Sequence, residues 1–112
     1  MIASSLLKNL QYQKDKPAIS VLLETGSTKE IRIAMRGGHT MKEHQTPFPI
    51  VVEIFEGAVD FGVKGKLYPL KKGDIVALEA SVPHDLNAKE DSIVRLTLSK
   101  SDTVQRVKKV VE

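Results

Sequence analysis

The sequence predicts an all-β fold, a sandwich or barrel carrying one short C-terminal helix. Three observations lead there. Short apolar or alternating segments recur at regular spacing, Gly-bearing turns separate them, and helical periodicity shows only near the C-terminus. Periodicity does not choose between barrel types.

Each element has its own signal. AISVLLE is apolar and β-branched, with Ile19, Val21 and Leu23 expected on one face, and ETGST follows as a turn. KEIRIAM alternates cleanly, placing Ile31, Ile33 and Met35 opposite Glu30, Arg32 and Ala34. RGG then bends the chain, since glycine tolerates backbone angles closed to other residues. IVVEIFE is an almost unbroken apolar run, the pattern of a strand covered on both faces. EGAVDFGV gives the next strand, and VKGK closes a hairpin with Lys64 and Gly65 at its centre. LYPL is a short strand, KKGD a turn, DIVALEA a strand, SVPHD a turn and SIVRLTL the last strand. In SDTVQRVKKVV, Val104, Val107 and Val111 fall at helical spacing; Asp102, with Gln105 three residues on, resembles a capping box.

Composition narrows the function classes. The 112 residues argue for one domain spanning 1–112. A hydrophobic fraction of 41% and a charged fraction of 28% are ordinary for a globular protein. The chain has no Cys, which excludes disulfides and thiolate chemistry. No apolar run reaches the length of a membrane span, and MIASSLLKNLQYQ lacks the basic leader of a secretion signal, so a cytoplasmic protein is expected. Net charge is +3, with small lysine clusters at Lys64, Lys66, Lys71 and Lys72 and at Lys108 and Lys109. Aromatics at 4% are too few for a base-stacking platform, so no nucleic-acid partner is expected. Those lysines keep turns soluble and sheet edges unpaired.

Residues 38–57 and 73–88 carry a resemblance. Gly38 is followed after five residues by His44, then by Thr46, Ile50 and Gly57. Gly73 opens a second stretch with Glu79, Ser81, His84 and Ala88. The spacing is similar to the two motifs of the cupin family. Thr46 stands where that family has its second His and Ile50 where it has Glu. Glu79, Ser81 and Ala88 replace the Pro, second Gly and Asn of motif two. The resemblance implies a small antiparallel β-barrel of jelly-roll type, paired as a homodimer, with a degenerate metal site. Cupins host many chemistries, so fold analogy does not name one.

A complete cupin site holds a divalent metal with three His and one Glu, whose lone pairs converge at about 2.0–2.2 Å. Here the resemblance leaves two imidazoles, His44 and His84. Strand alternation points His44 and Thr46 into the barrel, and His84 meets them from the second motif. Glu43, Asp85 and Glu53 fall out of phase. His39 and Glu79 are the weak candidates for a third ligand, His39 only if the Gly37–Gly38 bend turns it inward. Ile50 removes a carboxylate that would need a metal or solvent to balance its charge. Phe48, Phe55, Phe61, Met35 and Met41 read as packing residues.

Two classes of function follow. One is a small-molecule-binding barrel whose apolar pocket, with His44, Thr46, Ile50 and His84 in its lining, offers two polar anchors. Sensor domains of this kind are joined to a DNA-reading helix-turn-helix, which this chain does not extend far enough to include, so a sensing role would need a partner protein. The other is an enzyme: a metal-dependent oxygenase or isomerase using Zn, Mn, Fe or Ni, or a metal-free isomerase or epimerase with His44 or His84 as general base. No feature favours a purely structural role.

Overall fold

The computed structural model describes residues 1–111, which form nine strands and one helix. The strands are β1 (Ala18–Glu24), β2 (Thr28–Met35), β3 (Thr40–His44), β4 (Ile50–Glu56), β5 (Ala58–Val63), β6 (Lys66–Lys71), β7 (Ile75–Leu78), β8 (His84–Ala88) and β9 (Ser92–Ser99). The helix α1 covers Val104–Val110. All strand pairs are antiparallel, in two sheets: β1-β2-β9-β4-β7 and β3-β8-β5-β6. This is the small jelly-roll barrel with a late helix.

Alternation builds the core. Ile31, Ile33 and Met35 of β2, Val52 and Ile54 of β4, and Val94, Leu96 and Leu98 of β9 face across to Met41, Val59, Phe61, Leu86 and Ala88 of the smaller sheet. Each such side chain contributes about 1.5–3 kcal/mol by leaving water. The strand β4 is not covered on both faces as its composition predicts: Ile50, Val52 and Ile54 are buried while Val51, Glu53 and Phe55 are only half-buried. The outer face of this sheet is polar. There the N-terminal segment crosses β2, and the carbonyls of Leu6, Lys8 and Asn9 accept from Arg32 at 3.0–3.3 Å.

Backbone irregularities set which residues face inward. A register shift interrupts β1 between Val21 and Leu23; along the same strand Ile19 packs on the core while Val21 is exposed. A second shift lies between Met41 and His44. Two steps along β8, from Leu86 to His84, match three along β3, so one extra residue is accommodated. Residues three apart on a regular strand face opposite sides; here Met41 and His44 both turn inward. Lys64 and Gly65 both have positive φ, 51° and 74°, the geometry of a two-residue hairpin turn. Gly57, at φ 91°, lies so close to the Ser92 side chain and the Asp91 carbonyl that any Cβ would overlap them.

Two elements differ from their sequence expectation. HDLNA is the strand β8 rather than the tail of a turn; Asp and Asn disfavour strands, but pairing on both sides with β3 and β5 overrides that preference. The helix is capped by Thr103, whose side chain accepts from the Arg106 amide, and not by Asp102. Asp102 is thereby free for other partners, and Val107 and Val110 are the buried helical positions.

Candidate functional site

The register of β3 on β8 makes His44 and His84 direct partners. Their rings meet edge to face with centroids 4.2 Å apart, and Phe61 stacks on His84 at 5.6 Å. Each ring is held the same way. His44 Nδ1 lies 2.7 Å from the Lys42 carbonyl and His84 Nδ1 lies 2.9 Å from the Val82 carbonyl. A carbonyl has no proton to give, so both Nδ1 atoms carry hydrogen and donate. The neutral rings then present Nε2 as a bare acceptor, and neither Nε2 has a hydrogen-bond partner among the described residues.

Both imidazoles line one cavity inside the barrel mouth. Its walls include Ile33, Met41, Ile50, Val52, Leu86 and Leu96, and α1 closes it with Arg106 and Val107. The cavity is about 20 Å³, room for about one water molecule. Burial drives His44 down from the ordinary 6.5 to about 4; the Lys42 carbonyl opposes this, and His84 and Arg106 add to it. His84 is lowered as well, by burial first and by Arg106, against the Val82 carbonyl. Both rings are therefore neutral at pH 7.

Arg106 is held by a relay that begins at Thr46. The Thr46 hydroxyl donates to Asp102 Oδ2 at 2.5 Å. Asp102 accepts from Arg106 Nε at 2.8 Å and from Nη2 at 2.9 Å, and from the Thr103 amide at 2.8 Å. Burial pushes the Asp102 carboxyl up, but these donors together outweigh it and hold it below its ordinary value.

The expected site residues thus divide. His44, His84 and Ile50 are brought together at the cavity. Thr46 is buried but does not line it; its hydroxyl is spent on Asp102. His39 stays outside: its Nδ1 accepts from the Arg36 amide at 3.0 Å and its Nε2 donates to the Lys14 carbonyl at 3.0 Å, so both nitrogens are used. Glu79 is exposed on the loop after β7, beside Pro49 and Ser27. Neither joins the two histidines. Arg106 was not anticipated. Its only signal was the four-residue spacing from Asp102, which marks an ion pair on a helix without saying where that helix docks.

A divalent metal does not fit this donor set. Structural and catalytic sites use three or four protein ligands. Among the described residues, no group of three or more His, Cys, Asp or Glu comes together. The two available Nε2 atoms share their cavity with a guanidinium, which repels a cation.

Comparison with known proteins agrees with this architecture. An RmlC-like cupin from Desulfovibrio desulfuricans superposes with a TM-score of 0.81 at 20% identity, covering 88% of this chain and 96% of that one. A conserved protein of unknown function from Streptococcus pyogenes gives 0.75 at 19% identity, covering 90% and 89%. An RmlC-like cupin from Shewanella frigidimarina gives 0.75 at 17%, covering 88% of each. At these identities the likeness shows the fold alone. No curated protein matches the chain. Residues 30–99, more than half of the sequence, match the AraC-like ligand binding domain, which is of cupin type. The chain belongs to that family: it is an AraC-like ligand binding domain on a cupin barrel.

Proposed function

We propose that this barrel binds a small organic molecule in the cavity beneath α1, with His44 and His84 as its polar anchors. One observation carries the proposal: two register-paired histidines hold their Nδ1–H groups on backbone carbonyls and leave both Nε2 acceptors without a partner among the described residues, at a cavity otherwise lined by aliphatic side chains and Arg106. His39, by contrast, has a partner on each ring nitrogen. Membership of a ligand-binding family supports the same conclusion. Since the cavity holds about one water, binding of anything larger displaces α1, the one helical part of its wall.

The enzymatic alternatives are weaker. A general base works best with a pKa near the working pH, and His44 at about 4 is too weak for that role at pH 7. Metal-dependent oxygenation or isomerisation needs ligands that the cavity does not supply.

The test is a small-molecule thermal-shift screen of the wild type, repeated on His44→Ala and His84→Ala. Both variants are expected to fold, and to lose the stabilisation conferred by any hit. A hit unaffected by both variants would place the binding site elsewhere. Elemental mass spectrometry of untagged protein adds a check: near one equivalent of transition metal per chain would overturn the metal-free reading.

A further inference from the structure

The two sheets leave two seams where their edge strands face each other. The helix α1 packs against β1 and β3, the edge strands on one side, and covers that seam. On the other side the edge strands are β6 and β7, which are not paired with each other. A cleft of about 240 Å³ lies between them, open to solvent. Phe61 and Val63 of β5, Tyr68 and Leu70 of β6, and Val76 and Leu78 of β7 line it, and no helix or loop residue does. It shares no lining residue with the histidine cavity.

Strand register places one charge at this cleft. Phe61 pairs with Tyr68 and Val63 with Lys66, so Lys66, Tyr68 and Leu70 alternate onto the inward face of β6. Leu70 packs on the core and Tyr68 is 43% exposed. Lys66 stands at the end of β6 away from the Lys71–Asp74 turn that leads into β7. Its Nζ lies 5.6 Å from the centroid of the Tyr68 ring. Among the described residues no carboxylate forms an ion pair with Lys66. The polar side-chain groups along the seam are thus a hydroxyl and an uncompensated ammonium.

We propose that this seam is a second binding site, independent of the histidine cavity, for an aliphatic carboxylate. The chain lies between the sheets and the carboxylate meets Lys66. The walls offer almost no hydrogen-bonding groups, so a plain alkyl chain loses nothing there and leaves water, whereas a polyol would strand its hydroxyls. The cleft has the liquid volume of about eight waters, and a methylene is close to a water in size, which suits a chain of about six to eight carbons. The ammonium at one end favours an anion over a neutral head group and repels a cation. A second copy of the chain is a poorer occupant. Lys64, Lys66, Lys71 and Lys72 flank β6 at both ends, so two seams brought together would oppose like charges. Pro69 also lacks the N–H that an added strand would use on β6.

The test is NMR titration of methyl-labelled protein at pH 7 with octanoate, octan-1-ol, octylammonium and acetate, each kept below its micelle concentration. Octanoate is expected to shift the methyls of Val63, Leu70, Val76 and Leu78 saturably. It should bind about threefold to fivefold more tightly than octan-1-ol, the range of a solvent-exposed ion pair. Octylammonium should bind more weakly than either, and acetate, which has no chain, should leave these methyls unmoved. Lys66→Gln should bring octanoate and octan-1-ol together, and Lys66→Arg should keep them apart. The ranking on the wild type needs no variant, so a folding defect in either leaves the test intact. Octanoate binding no better than octan-1-ol or octylammonium overturns the anionic ligand. Seam methyls that stay fixed at millimolar octanoate overturn the site. Shifts confined to Ile33, Val52 and Leu86 assign octanoate to the histidine cavity and overturn the seam, so the two sites are judged separately. Seam methyls that shift with protein concentration alone, with a dimer in analytical ultracentrifugation, give the seam to a second copy and overturn the proposal. Co-sedimentation with phosphatidylglycerol vesicles, with free octanoate inert, gives it to a lipid surface and overturns the free acid.

Discussion

Arg95 and Arg106 sit under similar cover, each with its side chain 25% exposed, and the difference between their surroundings separates architecture from site. Arg95 lies on the outer face of the larger sheet. Its Nε donates to Glu53 at 2.7 Å, and its Nη1 donates to Glu30 at 2.7 Å and to Thr97 at 3.0 Å; Thr97 in turn donates to Glu30 at 2.6 Å. Its register partner is Arg32, a like charge directly opposite, which is unfavourable in itself. Two carboxylates on Arg95 and three carbonyls on Arg32 offset it. Arg106 has one carboxylate for a partner and lines a cavity together with two imidazoles whose Nε2 atoms have no partner among the described residues. Closed polar networks hold a fold; polar groups left open inside a cavity are a place for a ligand.

The largest effect should come from cutting the Arg106 side of that comparison. Asp102→Ala strands a partly buried guanidinium and the buried Thr46 hydroxyl together. A loss of about 3 kcal/mol is expected in urea denaturation, with faster amide exchange over residues 104–110. A loss under about 1 kcal/mol would mean that Asp102 does not hold α1 down.

Cutting the Arg95 side should cost less. Arg95→Met leaves Glu30 and Glu53 without their shared cation, but both carboxylates are close enough to solvent to rehydrate. About 1–2 kcal/mol of stability should be lost, with ligand binding unchanged. If binding changed as well, the two regions would not be independent.

Acid should sharpen the contrast with the smallest effect. His44 takes up its proton near pH 4 when folded and near 6.5 when unfolded. As pH falls below 6.5, the unfolded chain gains the proton first, so stability is complete above that value and declines towards pH 4. Asp102, held below its ordinary 3.8, contributes nothing to this window. A loss of about 1 kcal/mol between pH 7 and pH 4.5 is expected after allowing for solvent screening of His44. His44→Gln should reduce the slope and leave the share that comes from His84, which burial also lowers; an unchanged slope would assign it to other groups.

Much of the barrel could be read from residue pattern. Alternation located β2, the Lys64–Gly65 hairpin located β5 and β6, and the motif spacing singled out His44, Ile50 and His84. Where the reading failed, a non-local partner had intervened. Asp85 and Asn87 speak against a strand until β3 and β5 flank them. Val21 is exposed on β1, which lies at the edge of its sheet, a place that composition does not give. Thr46 was read as a pocket residue from its distance to His44, but its hydroxyl belongs to a residue 56 positions away.

By itself the sequence determined the class of fold, the turns and the two histidines, since side-chain periodicity and positive-φ glycines act over a few residues. Only the tertiary structure decided the phase of His44, through the extra residue in β3, and the identity of the third polar group in the cavity. Arg106 reaches the cavity because α1 packs Val107 and Val110 across the barrel mouth and Thr46 anchors Asp102 beneath it. Those contacts join segments far apart in the chain, and no local pattern encodes where a helix of seven residues will dock.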